Sequence, residues 1–446
     1  MSTATKMTDV DSGRLQSKVD QRRALQETHA ATDLSGFLLL AAQIAGLLSL
    51  FYIYHLESFP FLEMTAVVCA AFLVHYWLPF RFKEIFWVAV SIAGSFFLLD
   101  PKVAALVLAT GLAIYLIFRI PIKLRWRLAA ITAVFSALIY GCVTGRLGIP
   151  HPFYAVFGGI FMFRIIIYAY DLANTKEPPS LLPFLSYFFI LPNYLFTLFP
   201  VIDFQTMRTT YYRRDIHSIA QQGIHWIVRG GVQLMLYRVV VYLDDPYLPD
   251  RVTSLPKLIT AMILTYLLYL NVSGKFHIVV GMLHLFGYDL PETNRRYLLA
   301  SSFLDYWRRI NIYWKDFMVK IVYMPVYFKL RKRGDLRAQI LGSAAVFVVS
   351  WAAHSYQSLW LAGRLSFSWT DTIFWTILGA LVVANVVYEA QHKRPRTSLG
   401  WRSRAFLAMR TAGTFATITI LWSLWTSPTL SSWIYLMTRW TQGAAQ

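Results

Sequence analysis

Charged residues make up only 15% of this 446-residue chain, whereas about a quarter of an ordinary soluble domain is charged. Such scarcity excludes a conventional soluble fold. Cysteine is almost missing. Cys69 and Cys142 are the two present, both inside apolar runs and without any C-x-x-C or Cys/His spacing, so neither a disulfide framework nor a cysteine-based metal site organises the chain. Both read as small core hydrophobes. Internal repeats of the kind that mark many secondary transporters are also lacking. Residues 1–33 are polar, mix both signs and hold no apolar stretch long enough for a signal peptide, so they read as a polar cytosolic leader. The leader contains His29 and Asp33 in an H-x-x-x-D string that some soluble acyltransferases use. Outside their fold the string reads as coincidence.

What the chain has in abundance is apolar and aromatic side chains, 57% and 16% of the sequence. Apolar runs follow one another almost without pause from Leu34 onward, and a spanning helix needs roughly 17 to 25 such residues. The expected architecture is an all-α polytopic membrane protein, residues 34–446 forming one multi-pass domain. About eleven spans begin near Leu34, Phe61, Ile85, Val103, Leu128, Phe153, Gly223, Leu255, Ala338, Thr372 and Leu407. The formal net charge of +19 invites a nucleic-acid reading, but the positions of the charges argue against it. With the leader inside, the basic segments Arg81–Glu84, Arg119–Arg127, Tyr170–Ser180, Arg295–Arg309, Lys329–Arg337 and His392–Arg404 all fall on the cytosolic side. The sparsely basic loops Leu56–Pro60, Asp100–Lys102, Asp244–Arg251 and Gly363–Asp371 fall outside. Most of the charge therefore fixes topology, and some attracts anionic lipid or ligand.

Two segments fit poorly as simple spans. Leu181–Pro200 carries Pro183, Pro192 and Pro200, and Ile312–Phe328 mixes aromatics with Lys315, Asp316 and Lys320. Irregular backbone at membrane depth must be buried in protein or line a cavity, so both are expected as re-entrant or interfacial elements around an internal chamber.

Ionisable residues inside spans are costly without work or a partner; Glu63, Arg164, Arg229, Arg238 and His354 stand out. His354 is the most informative. It lies about 24 Å into its span at about 1.5 Å per residue, where a neutral imidazole can take a proton from a hydroxyl and return it. The same residue could equally be a histidine hydrogen-bonded between helices. Upstream, in Asp305-Tyr306-Trp307-Arg308-Arg309-Ile310-Asn311, the Asn311 amide can donate to a developing oxyanion or orient a carbonyl. Arg308 and Arg309, with Lys315, can bind phosphates; an aromatic belt flanked by positive-inside arginines accounts for the same string. His217, His225, His277 and His284 read as structural or interfacial.

Leu270-Asn271-Val272-Ser273-Gly274, Gly281 through Glu292 with its Leu285-Phe286-Gly287-Tyr288-Asp289-Leu290-Pro291-Glu292 string, Tyr306 through Asn311, and His354 occur in this order. Together they resemble the membrane-bound O-acyltransferase (MBOAT) family, especially the bacterial branch that acetylates alginate and similar exopolysaccharides or D-alanylates teichoic acids. The resemblance is best over about residues 183–357. It implies a ring of helices around a central tunnel, His354 as catalytic histidine, Asn311 at the second polar position 43 residues earlier, and a cytosolic acyl thioester, either acyl-CoA such as acetyl-CoA or an acyl carrier protein. It also implies a bacterial inner-membrane location, membrane lipids around the chain, a hydroxyl acceptor and an extracytoplasmic acetyltransferase or carrier protein as partner; no metal is called for. The bacterial branch usually has histidine at the second position, and asparagine there resembles eukaryotic acyltransferases of sterols, diacylglycerol and secreted peptides. Asn271 and His277 replace the aspartates of the S-G string, and Ser355 replaces the glycine usually found after the catalytic histidine. The acceptor class is therefore open among polysaccharide, teichoic acid, lipid and small molecule. Two non-enzymatic readings stand beside it: a transporter of lipid-linked or small cargo, and a non-catalytic scaffold of an acetylation complex.

Overall fold

The computed structural model describes residues 34–174, 180–196, 200–244, 251–392 and 400–443. The leader with His29 and Asp33 lies outside the described residues, as do parts of three loops used above to orient the chain, at 175–179, 245–250 and 393–399. Among the described residues all regular structure is helical, relieved by an isolated antiparallel bridge between Tyr211 and Tyr288.

Helices α1 (Leu34–Ile53), α2 (Phe59–Trp77), α3 (Phe80–Leu98), α4 (Pro101–Arg119) and α5 (Leu124–Thr144) follow one another through short turns. A broken pair, α6 (His151–Phe161) and α7 (Arg164–Asn174), comes next. After the short α8 (Leu181–Phe188) and α9 (Phe204–Thr210) stand the long α10 (Ile216–Asp244), α11 (Leu255–Leu267) and α12 (Leu270–Leu285). The short α13 (Phe303–Arg309), α14 (Ile312–Met318) and α15 (Met324–Leu330) lead into α16 (Asp335–Ala362), α17 (Trp369–Gln391), α18 (Trp401–Thr426) and α19 (Leu430–Gly443).

Among the described residues ten stretches are long and apolar enough to cross a membrane, α6–α7 and α11–α12 each counting as one, so the chain is a multi-pass membrane protein. Ten of the eleven expected starts fall on them. The eleventh, near Ile85, falls in α3, a 19-residue helix that is not one of the ten; Arg81, Lys83 and Glu84 load its first turns with charge.

The proline-bearing segment is buried in protein, as its broken backbone requires. Phe188, Phe189, Ile190 and Leu191 are fully buried. Ser91 on α3 accepts the Leu191 N–H at 3.1 Å, and the Asn193 amide donates to the Phe188 carbonyl at 2.6 Å. The second irregular segment is α14, a π-helical turn at Val319–Tyr323, and α15. Its Lys320 ties three elements together by pairing with Asp171 on α7 at 2.5 Å and with Asp203 before α9.

Within a bilayer, small residues drive close helix packing because lipid is as apolar as leucine. Helices α10 and α12 meet this way: a Cβ on Gly230 would lie 2.5 Å from the Gly274 carbonyl oxygen, and one on Gly223 would lie 2.7 Å from that of Gly281. Gly274 of the Ser-Gly string thus serves a helix crossing. One large aromatic core spans α1 to α10, α12 and α14. A second gathers Tyr266, Tyr306, Phe347, Phe374, Trp375 and Trp422 from α11, α13, α16, α17 and α18. Trp307 packs against both.

Candidate active site

A cavity of about 380 Å³ opens between these two cores. His354, Asn311 and Gln357 supply polar groups to its wall, and Phe163, Trp307, Trp314, Trp375 and Trp425 supply much of the rest. The structure thereby brings His354 and Asn311 to one chamber, both half-buried. Among the described residues no carboxylate lines it.

His354 is carried by the 28-residue α16, whose end at Ala362 lies eight residues further on, or about 12 Å at the α-helical rise. Three indoles crowd the imidazole, with ring centroids at 5.0 Å for Trp375, 5.4 Å for Trp425 and 6.3 Å for Trp314. Among the described residues nothing hydrogen-bonds the imidazole nitrogens, which leaves both able to meet a ligand. Each indole N–H is engaged on the far side. Trp314 donates to the Ser350 hydroxyl at 3.3 Å, and Trp375 and Trp425 donate to one oxygen of Asp371 at 3.1 and 2.7 Å.

Asn311 sits in the tight turn between α13 and α14 with φ +39°. Asparagine tolerates this left-handed region better than most residues do. Its side-chain carbonyl caps α14 by accepting the Trp314 N–H at 3.2 Å, so the amide NH₂ is the end left to act as a donor. The loop 291–296 brackets the turn. Asn294, wholly buried, accepts the Asn311 N–H at 2.8 Å, and the Thr293 carbonyl accepts the Ile312 N–H at 2.8 Å. Arg229 on α10 steadies the bracket by pairing with Glu292 at 2.5 Å and donating to the Asn294 carbonyl at 3.0 Å. Local sequence makes α13 start where it does: Ser302 accepts the Asp305 N–H at 3.1 Å and Asp305 accepts the Ser301 N–H at 3.0 Å, a reciprocal cap.

Arg308 and Lys315 lie elsewhere, on a second cavity of about 800 Å³ walled also by Tyr323, Asp335, Gln339 and Glu389. Trp307 lines both cavities. Arg309 is not in that wall; its guanidinium donates to Asp305 at 2.7 Å. Arg308 faces Glu389 at 3.8 Å, and Lys315 pairs with Asp316.

Of the other ionisable residues, the arginines and two of the histidines have contacts of their own, whereas Glu63 stands half-buried in α2 and away from the chamber wall. Arg238 donates to the Tyr54 and His55 carbonyls at the end of α1. Arg164, 2% exposed, lies 4.2 Å over the Tyr187 ring and also lines the chamber that holds His354. His277 and His284 donate to carbonyls one turn back, Ser273 at 2.7 Å and Val280 at 2.8 Å. Sequence reasoning passed over Asn294, Gln357 and Asp371. The first follows the Leu-Pro-Glu string by two residues, and the last completes a Ser368-x-x-Asp371 helix start, so both left a signal of their kind.

No family model and no curated protein matches the chain.

Proposed function

We propose that the protein is a membrane-bound O-acyltransferase with MBOAT-like architecture, moving an acyl group, acetyl in the simplest case, from a cytosolic thioester to an acceptor hydroxyl. The observation that carries this reading is a single membrane-depth chamber walled by a half-buried imidazole with unengaged nitrogens and by an amide donor. A second cavity, lined by Arg308 and Lys315 together with Asp335 and Glu389, shares the Trp307 indole with it.

In this reading Arg308 and Lys315 receive the phosphates of coenzyme A, or of a carrier protein's phosphopantetheine, at the cytosolic mouth. Arg309 acts one step removed, holding Asp305 and the start of α13. The acyl end passes Trp307 into the chamber. His354 accepts the proton of the acceptor hydroxyl as its oxygen attacks the thioester carbonyl. The new carbon–oxygen bond forms while Asn311 donates to the oxyanion. Collapse then breaks the carbon–sulfur bond, and the departing thiolate takes the proton from the imidazolium. The leader is cytosolic and the membrane is the bacterial inner one. The acceptor is a hydroxyl of an exopolysaccharide or another envelope glycan, delivered from the opposite face with an extracytoplasmic acetyltransferase or carrier protein as partner.

The test is thiol release from acetyl-CoA by purified protein in vesicles, with an oligosaccharide acceptor. His354→Ala should lower turnover by about 10²–10⁴-fold at unchanged melting temperature. A folded His354→Ala protein with wild-type turnover would refute the assignment.

A further inference from the structure

Asp371 is a carboxylate tied to two wall residues of the His354 chamber, though it does not itself line it. It stands in the first turn of α17, where Ser368 accepts its N–H at 3.0 Å. One of its oxygens accepts both Trp375 Nε1–H and Trp425 Nε1–H. The other oxygen is buried and has no hydrogen-bond partner, and no basic side chain pairs with Asp371 among the described residues. The two indoles it holds are the two rings nearest the imidazole, one tilted at 40° and one edge-on at 86°. Phe374, which also lines the chamber, stacks on Trp425 at 4.7 Å and 11°.

A neutral imidazole asks little of such surroundings. Once it takes a proton it becomes a cation in a largely aromatic chamber whose wall holds Arg164 and, among the described residues, no carboxylate, and that cation needs negative potential close by. Indole faces attract cations. A carboxylate bonded to the indole N–H pushes electron density into the ring and strengthens that attraction. The resulting stabilisation grows only as the proton arrives, so it favours the transition state over bound substrate.

We propose that Asp371 is a positioning residue for His354, fixing Trp375 and Trp425 against the imidazole and supplying, through their rings, the negative charge that the imidazolium requires. The inference rests on the acyl-transfer reading above, with His354 as base.

The experiment is thiol release from acetyl-CoA in vesicles, with an oligosaccharide acceptor, comparing the wild type with Asp371→Asn, Asp371→Glu and Asp371→Ala. Melting temperature and near-ultraviolet tryptophan circular dichroism are recorded for each. Asp371→Asn keeps an oxygen that can accept both indoles and removes only the charge. Its kcat should fall roughly ten- to a hundred-fold, less than for a donor that touches the oxyanion, with KM for acetyl-CoA within about twofold and the tryptophan signal kept. Asp371→Glu should recover part of kcat. Asp371→Ala should lose both kcat and the tryptophan signal. The proposal is overturned if folded Asp371→Asn keeps wild-type kcat, if KM rises while kcat stays, or if kcat per folded molecule is constant across the series. An inactive wild-type protein would instead sink the acyl-transfer reading itself, so the two failures are distinguishable.

Discussion

The Asn294 side-chain carbonyl accepts the Asn311 backbone N–H at 2.8 Å, and so pins a left-handed turn at the chamber wall. The same oxygen accepts the Tyr269 hydroxyl at 3.2 Å. Replacing Asn294 by alanine leaves a backbone N–H and a tyrosine hydroxyl without their acceptor, at a cost of about 1–3 kcal/mol for each buried group left unmade. Asn294→Ala should therefore melt at lower temperature in detergent. It should also turn over about 10²-fold more slowly, because displacement of a reacting group by about 1 Å has that effect. Asn294→Asp keeps an acceptor for both groups but buries a carboxyl and loses the amide donor to the Thr293 hydroxyl, so it too should melt below the wild type. Wild-type melting and turnover in Asn294→Ala would show that the bracket does not position Asn311.

Asn311 carries two separable burdens, a strained backbone and an amide. Glycine adopts φ +39° freely, while alanine pays roughly 1–2 kcal/mol for the left-handed region. Thermal melting should rank Asn311→Gly above Asn311→Ala. Turnover should fall by about 10²–10³-fold in both, the usual loss for one oxyanion donor. A glycine variant as active as the wild type would mean that the position needs only its backbone shape.

Much of the fold was legible because membrane spans advertise themselves through length and hydropathy. All ten spanning stretches coincide with expected starts. The eleventh helix, Phe80–Leu98, has the apolar length but begins with Arg81, Lys83 and Glu84, and sequence alone did not say what would receive them. The structure does: Glu84 pairs with Arg208 of α9, and Lys83 donates to the carbonyls of His75 and Tyr76. These are contacts across long stretches of chain or at a helix end, invisible to a sliding window.

The candidate site was legible in part. His354 was picked out as an ionisable residue at membrane depth and Asn311 by its amide and its place in the Tyr306–Asn311 string, and they do share a wall. Their company was not legible. Nothing in the sequence singles out Trp375 and Trp425, and only the folded chain brings α17 and α18 around α16 so that both reach Asp371. Arg309 shows the converse: grouped with Arg308 by adjacency, it points instead to Asp305, one helical turn back.

Trp307 is a shared wall, its indole bordering both the chamber and the second cavity and packing on Phe347 at 4.8 Å. If a thioester passes it, Trp307→Ala widens the passage and adds room along the acyl path. Each methylene moved out of water is worth about 0.8 kcal/mol, so a longer chain gains most. The ratio of kcat/KM for octanoyl-CoA to that for acetyl-CoA should rise by about tenfold. An unchanged ratio would place the acyl path elsewhere.

Asp289 makes the loop after α12 sensitive to acid. Burial works to raise its carboxyl pKa, but hydrogen bonds from Arg214 and then Arg213 outweigh that and hold it below the usual carboxylate range. Both oxygens are used: Arg214 donates at 2.5 and 2.9 Å, and Arg213 at 2.9 and 3.1 Å. Because the folded value lies below the unfolded value of about 3.9, the stabilisation is complete above that pH and is lost as pH falls through the folded value. Asp289→Asn should melt below the wild type by a gap that is constant from about pH 7 to pH 5 and narrows once pH drops under about 4. Melting curves across that range check it. A gap that widens on acidification would mean the ionised carboxylate is not what holds the two arginines.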